Sequence, residues 1–212
     1  MSFSGLLIGA AMLFQGVDAT GTAIARPIGE VHLEPTTGSY FQVFEFYGRP
    51  PYTWRHAAEM VKGYFHEGRV GQLATIKAQN VHYFLLINFP MVQKERMWIG
   101  LSATCNEHAE LSWIDGTQLK DHPFRAWNDG AQRKISRTCR ARPDSGTVIP
   151  VFYDPHELGT RWEPGTATQN YRYMMVEFTV PEEDTETELT DVPEKPAAGA
   201  EPSSKALEKP LG

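Results

Sequence analysis

The alternation of apolar and polar residues predicts short strands interrupted by two amphipathic helices. Thr53 is a suitable N-cap for the first helix, in which apolar residues recur at three- and four-residue spacing from Trp54 to Phe65. A similar stripe predicts the second helix, which ends before Pro90. The predicted helices span residues 54–68 and 78–88, and the predicted strands span 39–47, 71–76, 97–101, 111–113, 148–153 and 171–178.

This order of elements indicates an α+β domain, because strands and helices do not alternate as they do in a doubly wound parallel sheet. Between residues 118 and 147 the periodicity disappears. Stretches of that length without an element are usually functional or disordered. We therefore expect two helices that flank short antiparallel sheets, with one long irregular loop as the candidate binding region.

The N-terminal segment predicts export. Residues 5–17 form an apolar run of the length of a signal-peptide core, shorter than the roughly 20 residues that span a bilayer. Ala23 and Ala25 supply small residues at alternate positions for cleavage, although residues 1–4 contain no Lys or Arg. We predict a signal peptide at 1–25, cleaved or retained as an anchor, and a secreted or extracytoplasmic protein whose mature chain has no stable membrane span. A buried N-terminal helix or strand is the alternative.

The C-terminal segment has the composition of a disordered tail. Residues 181–212 are rich in acidic residues, Pro, Ala and Ser and contain no aromatic residue. Such a segment cannot bury enough apolar surface to offset its ordering entropy. We therefore place the folded domain at residues 36–180 and a disordered acidic tail at 181–212.

The distribution of charge argues against nucleic acid as a partner. The net charge is −6, but the tail from Glu182 onward accounts for all of it, so the remaining 181 residues balance to zero. A neutral domain has no broad basic field to hold a phosphate backbone. The two cysteines are too few for a disulfide-built scaffold or a four-thiolate zinc site.

Several motifs in the predicted domain occur in a specific order. They are Thr53-Trp54 with Ala57-Ala58, residues 71–76, Trp98-Ile99-Gly100-Leu101, Trp113-Ile114-Asp115-Gly116, Phe124-Arg125-Ala126-Trp127 and the closing segment 173–177. Together they make residues 40–178 resemble the C-type lectin-like domain family. The resemblance implies the C-type lectin-like fold, with a core that includes Trp54, Trp98, Gly100, Trp113 and Trp127.

The cysteines depart from the pattern of that family. The family's usual disulfide between the first helix and the last strand falls on Val61 and Val176 here, and an apolar pair can fill the same space. Cys105 and Cys139 lie elsewhere. In an exported protein they could pair and pin the long loop, but two unrelated thiols are an equally open alternative.

The calcium motifs of the family's sugar binders are also missing. Their loop tripeptide falls on Ala131, Gln132 and Arg133, and their later Asn-Asp pair falls on Glu163-Pro164. Calcium needs six to eight hard oxygen ligands, and only Asp129 and Glu163 are weak candidates here. We therefore expect no cofactor, and ligand binding without calcium.

The long loop nevertheless carries groups suited to binding. Its arginines present planar donors that suit carboxylate, sulfate or phosphate groups, although solvated arginines without a ligand are an equally open interpretation. The candidate ligand-binding residues are Arg125, Asn128, Asp129, Gln132, Arg133, Arg137 and Glu163.

The sequence thus predicts non-enzymatic recognition through residues 122–165, with a glycan or a protein as the ligand. A protein-interaction module without sugar binding is the alternative, because a fold does not determine a function. An enzyme such as a formylglycine-generating oxidase ranks third, because those enzymes use cysteines near the end of the domain and no cysteine follows Cys139. Common hydrolase and phosphate-binding motifs are absent from the sequence.

Overall fold

The computed structural model describes residues 23–143, 145–156 and 159–180. The elements in chain order are β1 (Ile24–Leu33), β2 (Tyr40–Tyr47), α1 (Trp54–Met60), β3 (Phe65–His66), β4 (Arg69–Leu73), α2 (Gln79–Asn88), β5 (Met97–Cys105), β6 (Ala109–Trp113), α3 (Ala131–Ala141), β7 (Thr147–Asp154), β8 (Arg161–Pro164) and β9 (Tyr173–Phe178). The predicted α+β class is confirmed. Residues 1–22 of the predicted signal peptide and the whole predicted tail lie outside the described residues.

The strands form one sheet in which β9 has a central place. The main path is β1-β2-β9-β5-β7-β8, while β4 also pairs with β9 and β6 with β5. Every pairing is antiparallel except that between β5 and β9, which joins Met97 to Tyr173 and Trp98 to Met174. The last strand therefore connects the beginning of the domain to the strands that carry its second half.

The sheet starts earlier than the predicted domain boundary at residue 36. β1 pairs with β2 from Ile24, opposite Tyr47, to Leu33, opposite Tyr40. Its sequence was not recognised as a strand because only Ala25 is buried within it and the apolar alternation is weak. Backbone pairing with β2, rather than a buried side-chain stripe, defines this edge strand.

The first helix is shorter than predicted. α1 ends at Met60, and the 3₁₀ turn Val61–Gly63 leads into the β3–β4 hairpin. Gly68, which we expected to end the helix, instead lies in the hairpin turn with φ 76°. The apolar periodicity of the sequence continues past the end of α1 because Tyr64 also packs into the core. Its ring lies edge-on to that of Phe44, with centroids 4.7 Å apart, although its backbone is not helical.

Large aromatic side chains fill the core on both sides of β5. Trp98 and Trp113 are buried, and the indole N–H of Trp98 donates to the carbonyl of Tyr52 at 2.7 Å. Trp54 is partly buried and donates to the carbonyl of Ile99 at 2.7 Å. Trp127 is also partly buried and packs against the cluster that contains Trp113. The indole N–H groups of Trp54 and Trp98 therefore connect α1 and the segment at Tyr52 to β5, in addition to the apolar contacts of the rings.

Gly100 lies where three parts of the backbone meet. Its N–H donates to Ala74 at 2.8 Å, and its carbonyl accepts from Ile114 at 2.7 Å. A Cβ at this position would lie 2.5 Å from the carbonyl oxygen of Leu73. The register of β5 against β7 also shifts here, between Trp98 and Ser102. Only glycine allows this approach without displacing backbone.

We predict that Gly100→Ala destabilises the domain by about 1–3 kcal/mol or more, the usual cost of forcing an atom into a packed core. Chemical denaturation gives the free energy of unfolding. Gly63→Ala is the matched control, because a Cβ there has nothing within 4 Å. Equal stability of the two variants would contradict the close approach at Gly100.

His82 is a buried titratable group on α2. It is 4% exposed, and its Nδ1 lies 2.9 Å from the hydroxyl of Tyr153. Burial, with a smaller contribution from the positive charge of Arg161, lowers the pKa of His82 from 6.5 to about 4. Between about pH 4 and 6.5, the imidazole of His82 is therefore neutral in the folded domain, whereas in the unfolded chain it is protonated.

We predict that the free energy of unfolding falls as the pH decreases from about 6.5 towards 4, by at most about 1.4 kcal/mol per pH unit. Above pH 6.5 both states are neutral at this site, so the contribution of His82 no longer changes. Denaturation at a series of pH values measures the slope. His82→Gln should remove this part of it, whereas His108→Gln, at an exposed position, should retain it.

Candidate functional site

The predicted irregular loop contains a third helix, α3, which corrects our expectation of two helices. Its buried residues Ala131, Ile135 and Cys139 recur at every fourth position. Gly130, with φ 76°, turns the chain into the helix. The stripe was overlooked because Ala and Cys are weak apolar signals, and the other positions are almost entirely polar.

A disulfide fastens α3 to the sheet. Cys105, the last residue of β5, is bonded to Cys139, 34 residues further along the chain. Both cysteines and Ile135 pack with Ala103 and Ile149 in a small buried cluster. The helix is thus held to β5 by a covalent bond and by its apolar face.

The opposite side of α3 carries arginines. Arg133, Arg137 and Arg140 are exposed, and with 3.6 residues per turn they fall within about 60° of one another around the helix axis. We call these three residues the basic face. None of them forms an ion pair within the part of the chain that the structure describes.

Lys134 belongs to α3 but has a different role. Its ammonium group forms an ion pair with Oε1 of Glu163 on β8. Glu163 is only 8% exposed, and its Oε2 has no hydrogen-bond partner among the described residues. Lys134 therefore neutralises a buried carboxylate and connects the helix to β8.

Asn128 and Asp129 form the turn before α3. The N–H of Asn128 donates to the carbonyl of Trp162 at 3.0 Å, and its Oδ1 accepts from the N–H of Asp129 at 2.9 Å. A parallel bridge between Trp127 and Trp162 places this turn alongside β8. Asn128 thus shapes the backbone, while Asp129 is exposed to solvent.

These residues do not fit a calcium ion. The ammonium of Lys134 already lies against Glu163, at a carboxylate that a divalent cation would need. Asp129 is a single exposed carboxylate, and no group of three or more His, Cys, Asp or Glu side chains that could hold a metal occurs among residues 23–143, 145–156 and 159–180. Calcium requires several converging oxygens, and two carboxylates alone do not supply them.

A polar groove lies between β6, the 3₁₀ turn Leu119–Asp121 and the start of α3. We define it by the residues that line it, Ala109, Glu110, Leu111, Gln118, Leu119, Lys120, Arg125 and Gln132. Its volume of about 490 Å³ falls within the range of small-ligand sites. Leu111 contributes partly exposed apolar surface, whereas Leu119 is buried. Five longer side chains supply hydrogen-bonding groups.

Arg125 lines this groove, and its guanidinium is bound to backbone carbonyls. Its guanidinium donates to the carbonyls of Leu119 at 2.7 Å and Phe124 at 2.6 Å, and also to that of His122. These bonds hold the turn that carries Leu119 and Lys120. Arg125 therefore positions the groove, and three of its five N–H donors are already used in these bonds.

The candidate residues from the sequence are divided among separate places. Arg125 and Gln132 line the polar groove, Arg133 and Arg137 belong to the basic face, and Asn128, Asp129 and Glu163 belong to the connection with β8. The sequence analysis did not identify Glu110, Gln118, Lys120 or Lys134. The periodicity of Ala131, Ile135 and Cys139 was the available signal for α3, whereas no local pattern marks the groove.

Comparisons with solved structures find similar folds. The C-type lectin domain of murine dendritic cell inhibitory receptor 2, solved with an N-glycan, is 15% identical with a TM-score of 0.43, over 67% of this chain and 91% of that chain. EMS16, an antagonist of the collagen receptor integrin alpha2beta1, is 17% identical with a TM-score of 0.40, over 67% and 92%. Rhodocetin is 16% identical with a TM-score of 0.38, over 68% and 91%. These likenesses are distant, and the resemblance of this chain to the C-type lectin-like domain is carried by its sequence motifs. No family model and no curated protein matches the chain.

We predict that replacing both Cys105 and Cys139 by Ala lowers the free energy of unfolding by about 3–4 kcal/mol, because the bond closes a long loop in the unfolded chain. Denaturation of the variant beside the oxidised wild type measures the loss. A reductant should destabilise the wild type and leave the variant unchanged. If the variant and the oxidised wild type unfold at the same denaturant concentration, the disulfide does not contribute in this way.

Proposed function

We propose that the protein is a non-enzymatic recognition module that binds carbohydrate without calcium through the polar groove. The observation that carries this proposal is the arrangement of hydrogen-bonding side chains around Leu111 and Leu119. Sugar hydroxyls both donate and accept hydrogen bonds. The amides of Gln118 and Gln132 can do both, while the carboxylate of Glu110 accepts.

The groove is less suited to hydrolysis of a glycan. Glycosidases generally use two carboxyl groups on either side of the scissile bond. Among the described residues that line the groove, Glu110 is the only carboxylate. This composition supports binding rather than catalysis.

The independence from calcium is supported by Lys134. Its ion pair with Glu163 supplies a positive charge at the buried carboxylate. A buried carboxylate without a compensating charge would be costly, so the lysine meets a need that a metal ion could otherwise meet. In this proposal, ligand binding through the groove needs no metal ion.

We propose that the protein works outside the cytoplasm, in a secreted or extracytoplasmic form. The disulfide between Cys105 and Cys139 supports this location, because such bonds persist in oxidising compartments. None of the described helices is long and apolar enough to cross a membrane.

Recognition of a protein is the second candidate function. The observation that favours it is the β3–β4 hairpin, where Phe65 and Val70 form a cross-strand pair with exposures of 64% and 49%. Exposed apolar pairs of this kind can mark contact with another protein. This hairpin is a different surface from the polar groove, so the two functions can be separated by mutation.

We predict that the protein binds a subset of a broad glycan array equally well with calcium and with EDTA. Replacing Gln118 and Gln132 by Ala should weaken binding roughly thirtyfold, because two lost hydrogen bonds of about 1 kcal/mol each correspond to that factor. Affinity for the best glycan on the array is the measurement, and Gln79→Ala on the exposed side of α2 is the control.

Three outcomes would contradict parts of this proposal. Loss of binding in EDTA would show that calcium takes part. Unchanged affinity in the groove variant would move the site elsewhere. An array without binding in either buffer would favour the protein-binding alternative, for which Phe65→Ser is the variant to compare.

A further inference from the structure

We infer that the basic face of α3 binds an acidic polysaccharide, one that carries sulfate or carboxylate groups, whose chain lies along the helix and enters the polar groove at the helix's N-terminal end. This inference rests on the proposed function and names the class of carbohydrate. Gln132, which lines the groove, directly precedes Arg133 in α3. The groove and the basic face are therefore adjacent in sequence at the N-terminal end of α3, although Gln132 and Arg133 point about 100° apart around the helix axis.

The positive charge is concentrated locally. Six of the chain's 20 basic residues lie between positions 125 and 142, and Asp129 is the only acidic residue in that segment. Lys134 is neutralised by Glu163 and Arg125 is engaged by carbonyls, which leaves the basic face and Arg142, just beyond the end of α3, as the accessible charge. Because the rest of the domain has no net positive charge, attraction of an anion is directed to this helix.

The spacing of the arginines suits a linear polyanion. With a rise of 1.5 Å per residue, the three side chains are spread over about 10 Å of helix. Arg133 and Arg137 are four residues apart and Arg137 and Arg140 are three apart, so neighbouring guanidinium groups repel each other. A chain with closely repeated negative groups would relieve that repulsion at all three positions.

The helix is also held rigidly enough to present these groups. Ile135 and Cys139 are buried on the side opposite the arginines, and Cys139 is bonded to β5. A preformed surface loses less conformational entropy on binding than a flexible one. The backbone of the basic face therefore does not need to be ordered by the ligand.

Protein partners and single-stranded nucleic acids fit this surface less well than an acidic polysaccharide does. Protein interfaces have an apolar or aromatic centre, but none of the large apolar side chains that are exposed in the described part of the chain lies on α3. Single-stranded nucleic acid binds by stacking bases on aromatic rings, and neither the described groove residues nor α3 offer one.

The test compares the wild-type protein with the triple variant R133Q/R137Q/R140Q, using a heparin oligosaccharide of defined length as the probe. The control is R55Q/K62Q/K94Q, which removes the same charge from exposed positions elsewhere. We expect the triple variant to bind at least tenfold more weakly and the control to bind like the wild type. The dependence of log K on log salt should fall by about two to three in the triple variant, at roughly 0.7–0.9 per lost ionic contact.

Competition by other probes tests the class of ligand. Heparin that has been both desulfated and carboxyl-reduced should compete poorly, and so should duplex DNA and polyglutamate of equal charge. Equal loss in the triple variant and the control, or equal competition by DNA or polyglutamate, would overturn the inference.

The array separates this failure from failure of the proposed function. If the triple variant and the control bind heparin equally well while glycans still bind and still depend on Gln118 and Gln132, the proposed function stands and the inference about the basic face is wrong. If neither the groove variant nor the triple variant changes binding to any glycan, both are wrong.

Discussion

The close approach of backbone at Gly100 is the constraint on which the rest of the structure depends. At this residue β5 contacts the end of β4 through Ala74 and the turn after β6 through Ile114. On one side of it Met97 and Trp98 pair with β9 and with β7, and on the other side the strand pairs with β6 and β7 as far as Cys105. A Cβ at this position would lie 2.5 Å from the carbonyl oxygen of Leu73, so a larger residue would force these segments apart.

The second half of β5 determines the position of the candidate site. Cys105 ends that strand and holds α3, while β6 supplies one wall of the groove. Lys134 and the turn at Asn128 then fix the same helix against β8. The groove and the basic face are thus attached to β5, and the contacts of Gly100 in the core determine the path of that strand.

Elements with a strong local pattern could be predicted from the sequence, whereas elements defined by distant partners could not. β2 and α2 lie within one residue of their predicted positions, and β5 begins at the predicted residue, Met97, but continues past the predicted end to Cys105. β1 and β8 were missed because their sequences have no clear apolar alternation. Backbone pairing with β2 and β7 defines these two strands. The predicted end of α1 was wrong because Tyr64 is buried from a different backbone conformation.

The site was predictable only in part, for a related reason. The arginines of α3 could be recognised as a cluster, but their arrangement on one face depends on the helix, whose buried stripe consists of Ala131, Ile135 and Cys139. The groove combines β6, a 3₁₀ turn and α3, which are brought together by the fold. The ion pair of Lys134 with Glu163 links residues far apart in the chain, and neither residue type nor spacing identifies it beforehand.

The division of α3 into two faces separates the requirements of folding from those of recognition. The residues that anchor the helix recur every fourth position, and the solvent-facing positions between them contribute little to stability, since exposed substitutions usually change it by only about 0.5 kcal/mol. The outward residues can therefore change in charge, size or hydrogen-bonding character while the domain keeps its structure. Ligand preference on this helix is a property that evolution or design can alter one residue at a time, without compensating changes in the core.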